Sequence, residues 1–105
     1  MAEINYTPEF KRNYKKLKRK HYNMQKLKHV IELLQHEDFQ VLRNSYDDHF
    51  LHGKWEGNKA LHVEKNRKGN WILIYRISKC KVQLVSIDLV ATGNHEIYNL
   101  SLIHI

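Results

Sequence analysis

Apolar side chains recur at helical spacing soon after the start of the chain. They are Phe10, Tyr14 and Leu17, and lysines and arginines fill most of the positions between them. This division into an apolar side and a charged side is typical of a surface helix that packs one face on a core. Thr7 is a suitable cap and Pro8 suits the first helical position, so the pattern predicts a helix that begins there.

A second helical stripe follows after a break at residues 21–23. Asn23 is a suitable cap, and the pattern predicts a helix that ends at about Gln35. Its apolar positions are Met24, Leu27, Val30, Ile31 and Leu34. Two helices separated by so short a break indicate a helical hairpin. The alternating residues 3–7 predict a short strand before it.

The second half of the chain has strand-like patterns. Three segments rich in β-branched and aromatic residues lie at 58–64, 71–77 and 82–90, with predicted hairpin turns at 65–69 and 78–81. Residues 36–56 have no clean period and are predicted to be mostly loop. The run WILIY is apolar at consecutive positions, so we expect it in the central strand, covered on both faces.

The predicted order β-α-α-β-β-β indicates an α+β fold, with a helical hairpin packed on a small antiparallel sheet. A length of 105 residues with 42% hydrophobic side chains suits a single domain with one modest core. We expect the tail 100–105 to lie outside its ordered part. Because Cys80 is the only cysteine, no apolar run approaches about 20 residues and no signal-peptide pattern opens the chain, we expect a cytoplasmic protein without a membrane partner.

Positive charge is concentrated near the start of the chain. Residues 1–30 contain nine lysines and arginines against two acids, whereas the remaining residues contain nine of each, so this first block accounts for the whole net charge of +7. A one-sided basic block attracts nucleic acid or an acidic protein partner. The alternative is a solvated helix face without a partner.

Eight histidines are a high count for this length, but they do not form a metal-binding motif, and we expect no metal cofactor. Three of them, His21, His29 and His36, lie on or beside the predicted helices, and we assign them surface or packing positions. His104 lies in the tail and has no assigned role. The others are His49, His52, His62 and His95, beside the predicted loop and the strand ends. Taken singly, each is most simply a hydrogen-bonded structural histidine.

The segment HFLHGKWEG (49–57) has neither a helix nor a strand pattern, because glycines interrupt both. Gly53 and Gly57 permit sharp turns, and Trp55 between them is suited to anchor the loop by packing. These features predict a tight loop that is pinned to the domain and aims His49 at a cleft.

Four short motifs, taken together, resemble the RelE/ParE toxin superfamily, and its YafQ branch in particular. They are DHFLHGKWEG (48–57), the strand start His62-Val63, WILIY (71–75) and the T-G-x-H ending at residues 92–95. Because all four occur in the family order, and the predicted elements agree, the resemblance covers about residues 3–99.

This resemblance implies a ribosome-dependent mRNA endonuclease, restrained by a cognate antitoxin that is small, partly disordered and DNA-binding. It places His49, His62 and His95 in the active site. His95 is the expected general acid on the leaving 5′-oxygen, and His62 or His49 the general base on the ribose 2′-hydroxyl or a phosphate contact. RNA carries its own nucleophile, so the reaction needs a proton acceptor, a proton donor and stabilised charge, but no metal.

The same resemblance suggests residues that contact RNA. Trp71 is expected either to stack on a base or to begin a buried strand. In the family pattern an aspartate precedes WILIY and an arginine precedes T-G-x-H, whereas this chain has Asn70 and Ala91. We expect one of four cations to replace the missing arginine, namely Arg76, Arg67, Lys68 or Lys54. The closing aromatic of the family is matched one residue early, by Tyr98.

Two other functions fit the same residues. A ParE-like protein inhibits DNA gyrase by protein contacts and, by resemblance, needs no histidines. A catalytically weakened member would bind RNA or the ribosome through its basic block alone, with affinity that falls steeply as salt rises.

Overall fold

The computed structural model describes residues 1–66, 69–80, 84–94 and 97–98. Three helices pack on a mixed sheet of five strands. In chain order the elements are β1 (Glu3–Tyr6), α1 (Pro8–Arg19), α2 (Met24–Gln35), α3 (Phe39–Tyr46), β2 (His49–Phe50), a short 3-10 helix (Gly53–Trp55), β3 (Lys59–Asn66), β4 (Gly69–Cys80) and β5 (Leu84–Gly93).

The predicted helical hairpin is confirmed, including both of its caps. The Thr7 side chain accepts a hydrogen bond from the backbone N–H of Phe10 at 3.1 Å. Asn23 accepts one in the same way from Gln25 at 3.2 Å. These side chains satisfy backbone donors that a helix start leaves unpaired. In the break between the helices, His21 has a left-handed backbone with a φ of 64°.

The sheet has the order β1-β5-β4-β3-β2, so the WILIY strand is central as predicted. Its residues Trp71 to Tyr75 are all buried. The prediction of a purely antiparallel sheet is wrong at one edge, because β1 pairs with β5 in parallel. A parallel partner needs a long crossover connection, and here the helices and three intervening strands supply it.

The prediction that residues 36–56 are mostly loop is wrong over α3 and β2. In α3, Phe39, Leu42 and Tyr46 face the main core at helical spacing. The helix has only eight residues, and its cap position Asp38 makes no side-chain capping bond. So short a segment shows little more than two turns of periodicity, which is why its pattern was too weak to predict a helix.

The strand boundaries in the second half also differ from the prediction. β4 continues through Ser78 and Lys79 to Cys80, where a turn was predicted, and these residues pair with Ser86, Val85 and Leu84 of β5. The connection at 81–83 lies outside the described residues, as do Arg67 and Lys68 of the other predicted turn and the tail.

Each face of the sheet supports a separate apolar cluster. The larger cluster lies between the sheet and the helices and includes Leu27, Leu34, Leu61 and Leu73. The smaller lies on the opposite face, where the 49–57 loop covers the sheet, and consists of Trp55, Ala60, Ile72, Ile74, Val90, Ala91 and Ile97. Among the described residues, no helix has the length and apolarity needed to cross a membrane.

Candidate active site

His49 and His62 meet on the sheet face that the helices leave open. His49 in β2 is registered opposite Ala60 of β3, and His62 lies two residues further along β3 on the same face. The two rings are stacked, with centroids 6.1 Å apart and planes inclined by 26°. The His49 ring is exposed, whereas the His62 side chain is 11% exposed. Two of the three predicted catalytic histidines therefore share one site.

A β-bulge adjoins this pair. The register of β3 with β4 shifts between His62 and Glu64, so that Val63 is the extra residue. Bulges bend a strand and redirect its side chains, and they are common beside active sites. Here the bulge leaves His62 on the open face, whereas Val63 contributes to the core under the helices.

Asp47 contacts both histidines. The Nδ1 atom of His49 lies 2.7 Å from the Asp47 carbonyl oxygen. A carbonyl only accepts hydrogen bonds, so this Nδ1 is the donor, and in the neutral ring the Nε2 atom is an acceptor. A carboxylate oxygen of Asp47 lies 3.4 Å from Nδ1 of His62. Sequence reasoning missed Asp47 because no motif includes it.

His95, the third predicted histidine, lies outside the described residues. The described part of β5 ends close to the site, because Gly93 pairs with Ile72, which in turn pairs with His62. The three residues form one row across three strands. Two strand spacings of about 4.8 Å separate the ends of such a row, which places Gly93 roughly 10 Å from His62.

The predicted anchoring of the 49–57 loop by Trp55 is confirmed. Gly53 and Gly57 have φ angles of 69° and 91°, a region that favours glycine. Trp55 is 4% exposed and packs in the smaller apolar cluster. Its indole N–H donates to the carbonyl oxygen of Tyr98 at 2.9 Å, and the two rings meet edge to face. The loop is thereby tied to the chain that follows β5.

We expect Trp55→Phe to destabilise the fold by roughly 1–3 kcal/mol, because it removes this hydrogen bond and leaves part of the indole volume empty. Urea denaturation measures the change. Lys54→Ala is the matched control, since Lys54 is the exposed neighbour in the same 3-10 helix. An equal loss of unfolding free energy in both variants would show that Trp55 does not anchor the loop.

A buried polar network fixes the residue before His49. The hydroxyl of Tyr75 donates to Asp48 at 2.5 Å, and the ammonium of Lys59 lies 2.8 Å from the other oxygen of the same carboxylate. The Asp48 side chain is fully buried and that of Lys59 is 12% exposed. Burial, followed by the hydrogen bond to Asp48 and its charge, raises the pKa of Tyr75 far above its usual range. The phenol therefore stays a hydrogen-bond donor.

Trp71, one of the expected RNA contacts, is a core residue in this structure. It is 3% exposed, and its indole N–H donates to the Thr92 hydroxyl at 2.9 Å. The ring meets Tyr22 edge to face, with centroids 5.0 Å apart. No ring face is left for a base, so the alternative of a buried strand start describes Trp71.

The cations suggested as replacements for the missing arginine lie in different places. The Arg76 guanidinium is 3.7 Å from a carboxylate oxygen of Asp88. Arg76 is four residues along β4 from Ile72, the partner of His62, which is roughly 13 Å at the strand rise, so it does not adjoin His62. Lys54 is exposed on the 49–57 loop. Arg67 and Lys68 lie outside the described residues. Ala91 is fully buried opposite Ile74.

Asn70 and Tyr98 are the remaining residues that were expected to contact RNA. The backbone of Asn70 pairs with that of Lys65 in the β3–β4 ladder, and the side chain of Asn70 is not among those that the structure describes. Tyr98 is half-buried against Trp55, and burial raises the pKa of its phenol.

Helix α1 supplies cations at the end of β5. A pocket of about 300 Å³ is lined there by Lys16 and Lys20 together with Gly93 and Asn94. Asn13 of the same helix accepts a hydrogen bond from the backbone N–H of Thr92 at 3.0 Å, which joins α1 to this strand end. Sequence reasoning located the basic block but not the two lysines that reach the strand end.

Within the described part of the chain, no group of three or more histidine, cysteine, aspartate or glutamate side chains is placed to bind a metal ion.

The family model for YafQ, a bacterial toxin of type II toxin–antitoxin systems, matches residues 2–99. The chain belongs to the YafQ family. The mRNA interferase toxin YafQ of Escherichia coli K12 is 34% identical over 76 residues, which are 72% of this chain and 77% of that protein. The resemblance drawn from the four motifs is confirmed.

Solved structures of YafQ have the same fold. The crystal structure of YafQ from E. coli BL21(DE3) matches with a TM-score of 0.72 and 30% identity, over 93% of this chain and 98% of that one. YafQ in the E. coli DinJ–YafQ toxin–antitoxin complex matches with a TM-score of 0.69 and 31% identity, over 91% and 94%. The α+β class is thus confirmed, with the parallel edge strand and α3 as corrections to the predicted detail.

Proposed function

We propose that this YafQ-family toxin is an endoribonuclease that cuts mRNA on the translating ribosome. The observation that supports this most is the stacked pair of His49 and His62 on the open sheet face, where His62 lies in one row with the end of β5. Two imidazoles at one site can exchange protons with a substrate near neutral pH, since the ordinary pKa of histidine is about 6.5. The relative from E. coli K12 is named an mRNA interferase.

The proposed reaction is an internal displacement within the RNA. The ribose 2′-oxygen loses its proton to a base and attacks the adjacent phosphorus, and the bond to the 5′-oxygen of the next nucleotide breaks. That leaving oxygen receives a proton from an acid. The products are a 2′,3′-cyclic phosphate and a 5′-hydroxyl, and no metal is required because the nucleophile belongs to the substrate.

His49 or His62 would serve as the base, and His95 as the acid. The Nε2 atom of His49 suits the base, because its Nδ1 is engaged with the carbonyl oxygen of Asp47. Gly93 ends the described part of β5 in the row of His62, and His95 follows it by two residues in the sequence.

Lys16 and Lys20 would bind the RNA backbone beside the cleft, because they line the pocket at the end of β5. For a single-stranded nucleic acid, each phosphate contact contributes about −0.7 to the slope of log affinity against log salt concentration. The slope of log affinity against log salt is negative. We therefore expect the Lys16→Ala, Lys20→Ala double variant to make it less negative by about 1.4. Binding of an uncleavable 2′-O-methyl oligonucleotide measures this.

The matched control is Lys18→Ala with Arg19→Ala, which removes the same charge from the same helix. Lys18 and Arg19 line a different surface depression with Lys15, away from the strand end. If both double variants change the slope equally, only the total charge matters and the pocket has no special role.

A cognate antitoxin is the expected protein partner, because the related E. coli YafQ has been solved in a toxin–antitoxin complex. We propose that it is small, partly disordered and DNA-binding, and acidic where it meets the basic helices. The reaction on translating ribosomes would take place in the cytoplasm.

Purified translating ribosomes with this protein test the proposal. Cut mRNA with cyclic-phosphate ends is expected with the wild type and not with His95→Ala. If both proteins leave the mRNA intact, the chain is not a nuclease. A gyrase supercoiling assay then tests the ParE-like alternative, and salt-sensitive ribosome binding tests the non-catalytic one.

A further inference from the structure

We propose that Asp47 is a positioning residue that assigns different roles to the two stacked histidines. Its carbonyl oxygen holds His49 with Nδ1 as the donor, and its carboxylate faces Nδ1 of His62. This inference rests on the proposed nuclease function for its consequence in catalysis, but the contacts themselves belong to the free protein.

The position of Asp47 at the end of α3 makes both contacts possible. Its backbone is left-handed, with φ 53° and ψ 42°, and its N–H caps the helix by donating to the carbonyl oxygen of Leu42. This conformation ends the helix and turns the chain into β2. Aspartate and asparagine adopt it more readily than most residues with a side chain.

The contact with the carbonyl oxygen defines the hydrogen positions of His49. At 2.7 Å the bond requires a proton on Nδ1, so the neutral ring has its lone pair on Nε2. His49 is exposed, and its Nε2 is therefore available to accept a proton from a substrate hydroxyl. The backbone of Asp47 in this way prepares His49 as the base.

The carboxylate has the opposite effect on His62. A negative charge 3.4 Å from Nδ1 stabilises the protonated ring. The His62 side chain is 11% exposed and the Asp47 side chain 55% exposed, so solvent screens this attraction in part. The site thereby has one ring, His49, whose Nε2 can accept a proton, and one ring, His62, beside a carboxylate that favours its cationic form.

Those neighbours of His62 that the structure describes agree with this division. Asp47 faces it from the end of α3 and His49 from β2. On β4, its partner Ile72 is apolar. Glu64, the next acid on β3, is paired with Lys26 of α2 at 3.2 Å.

Nitrogen-15 NMR of the histidine rings in the purified protein tests the proposal without RNA. Asp47→Asn removes the charge but keeps the size and the tolerance for a left-handed backbone. We expect His62 to lose its proton at a lower pH than in the wild type, whereas His49 keeps its proton on Nδ1. Asp47→Ala should lower the midpoint for His62 in the same way and, because alanine disfavours this backbone, also disturb the tautomer of His49. Glu56→Gln, at an exposed acid on the 49–57 loop, is the control and should change neither ring.

In the ribosome assay, Asp47→Asn should reduce cleavage by roughly tenfold to a hundredfold, because His62 without the facing carboxylate stabilises the phosphate charge less, and losing such a group outright costs about 10²–10³-fold. The proposal is overturned if His62 titrates identically in wild type and Asp47→Asn, or if His49 in the wild type has its proton on Nε2. If the expected NMR changes occur in a protein that never cuts mRNA, the nuclease function fails while the positioning role of Asp47 stands.

Discussion

Replacing His62 with alanine is expected to lower the rate of mRNA cleavage by about 10²–10³-fold, the usual cost of losing one group that stabilises charge in the transition state. His62 is nearly buried beside the stacked ring of His49 and faces Asp47, so in the proposed site its loss would remove a ring that stabilises phosphate charge and the support of the other ring. Single-turnover cleavage on translating ribosomes measures the effect.

His49 and His52 supply an internal control for this prediction. Both are exposed, three residues apart in the same segment, but only His49 has a contact with His62 among those described. We expect His49→Ala to follow His62→Ala and His52→Ala to behave as the wild type. Full activity of His62→Ala, in a protein whose circular dichroism is unchanged, would exclude His62 from the reaction.

Replacing Asp48 with alanine is expected to destabilise the fold by about 3–5 kcal/mol, because it leaves the Lys59 ammonium buried without its carboxylate and removes the acceptor for Tyr75. The ammonium also lies 4.8 Å from the centre of the Phe50 ring and 5.4 Å from that of Phe39, so it is enclosed by aromatic side chains. Urea denaturation monitored by tryptophan fluorescence measures the loss.

Asp38→Ala is the matched control for Asp48→Ala, since Asp38 is an exposed aspartate that makes no side-chain capping bond. We expect Asp38→Ala to change the free energy of unfolding by less than about 0.5 kcal/mol. Replacing Asp48 by leucine, Lys59 by methionine and Tyr75 by phenylalanine together should restore much of the stability, because a buried ion pair can be exchanged for apolar side chains at little cost and no hydroxyl is left without an acceptor. If Asp48→Ala has the same urea midpoint of unfolding as the wild type, the network does not stabilise the site.

Local signals in the sequence were enough to predict the helical hairpin and the central strand. Thr7 and Asn23 cap the two helices as single residues next to a clear apolar stripe. The run from Trp71 to Tyr75 needs burial on both faces, which only a central strand provides. In the same way, Gly53, Trp55 and Gly57 described the loop, because its turns depend on those residues alone.

The features that were missed depend on contacts between distant residues. Nothing local shows that β1 runs beside β5, or that Asp48, Lys59 and Tyr75 share one buried network. Trp71 could be exposed or buried at the same strand position until the break between α1 and α2, which carries Tyr22, is placed over it. The Asp47 contacts arise from a left-handed residue after a helix too short to be recognised from its pattern.

The central claim is that histidines at this sheet edge cut RNA through the substrate's own 2′-hydroxyl. The most direct measurement maps the wild-type cut site on a translated mRNA and then replaces that one 2′-hydroxyl by a methoxy group. Our account predicts that the modified mRNA stays intact at that position, while the unmodified one yields a 2′,3′-cyclic phosphate. Cleavage of both at equal rates, or an end that bears a 3′-hydroxyl, would contradict it.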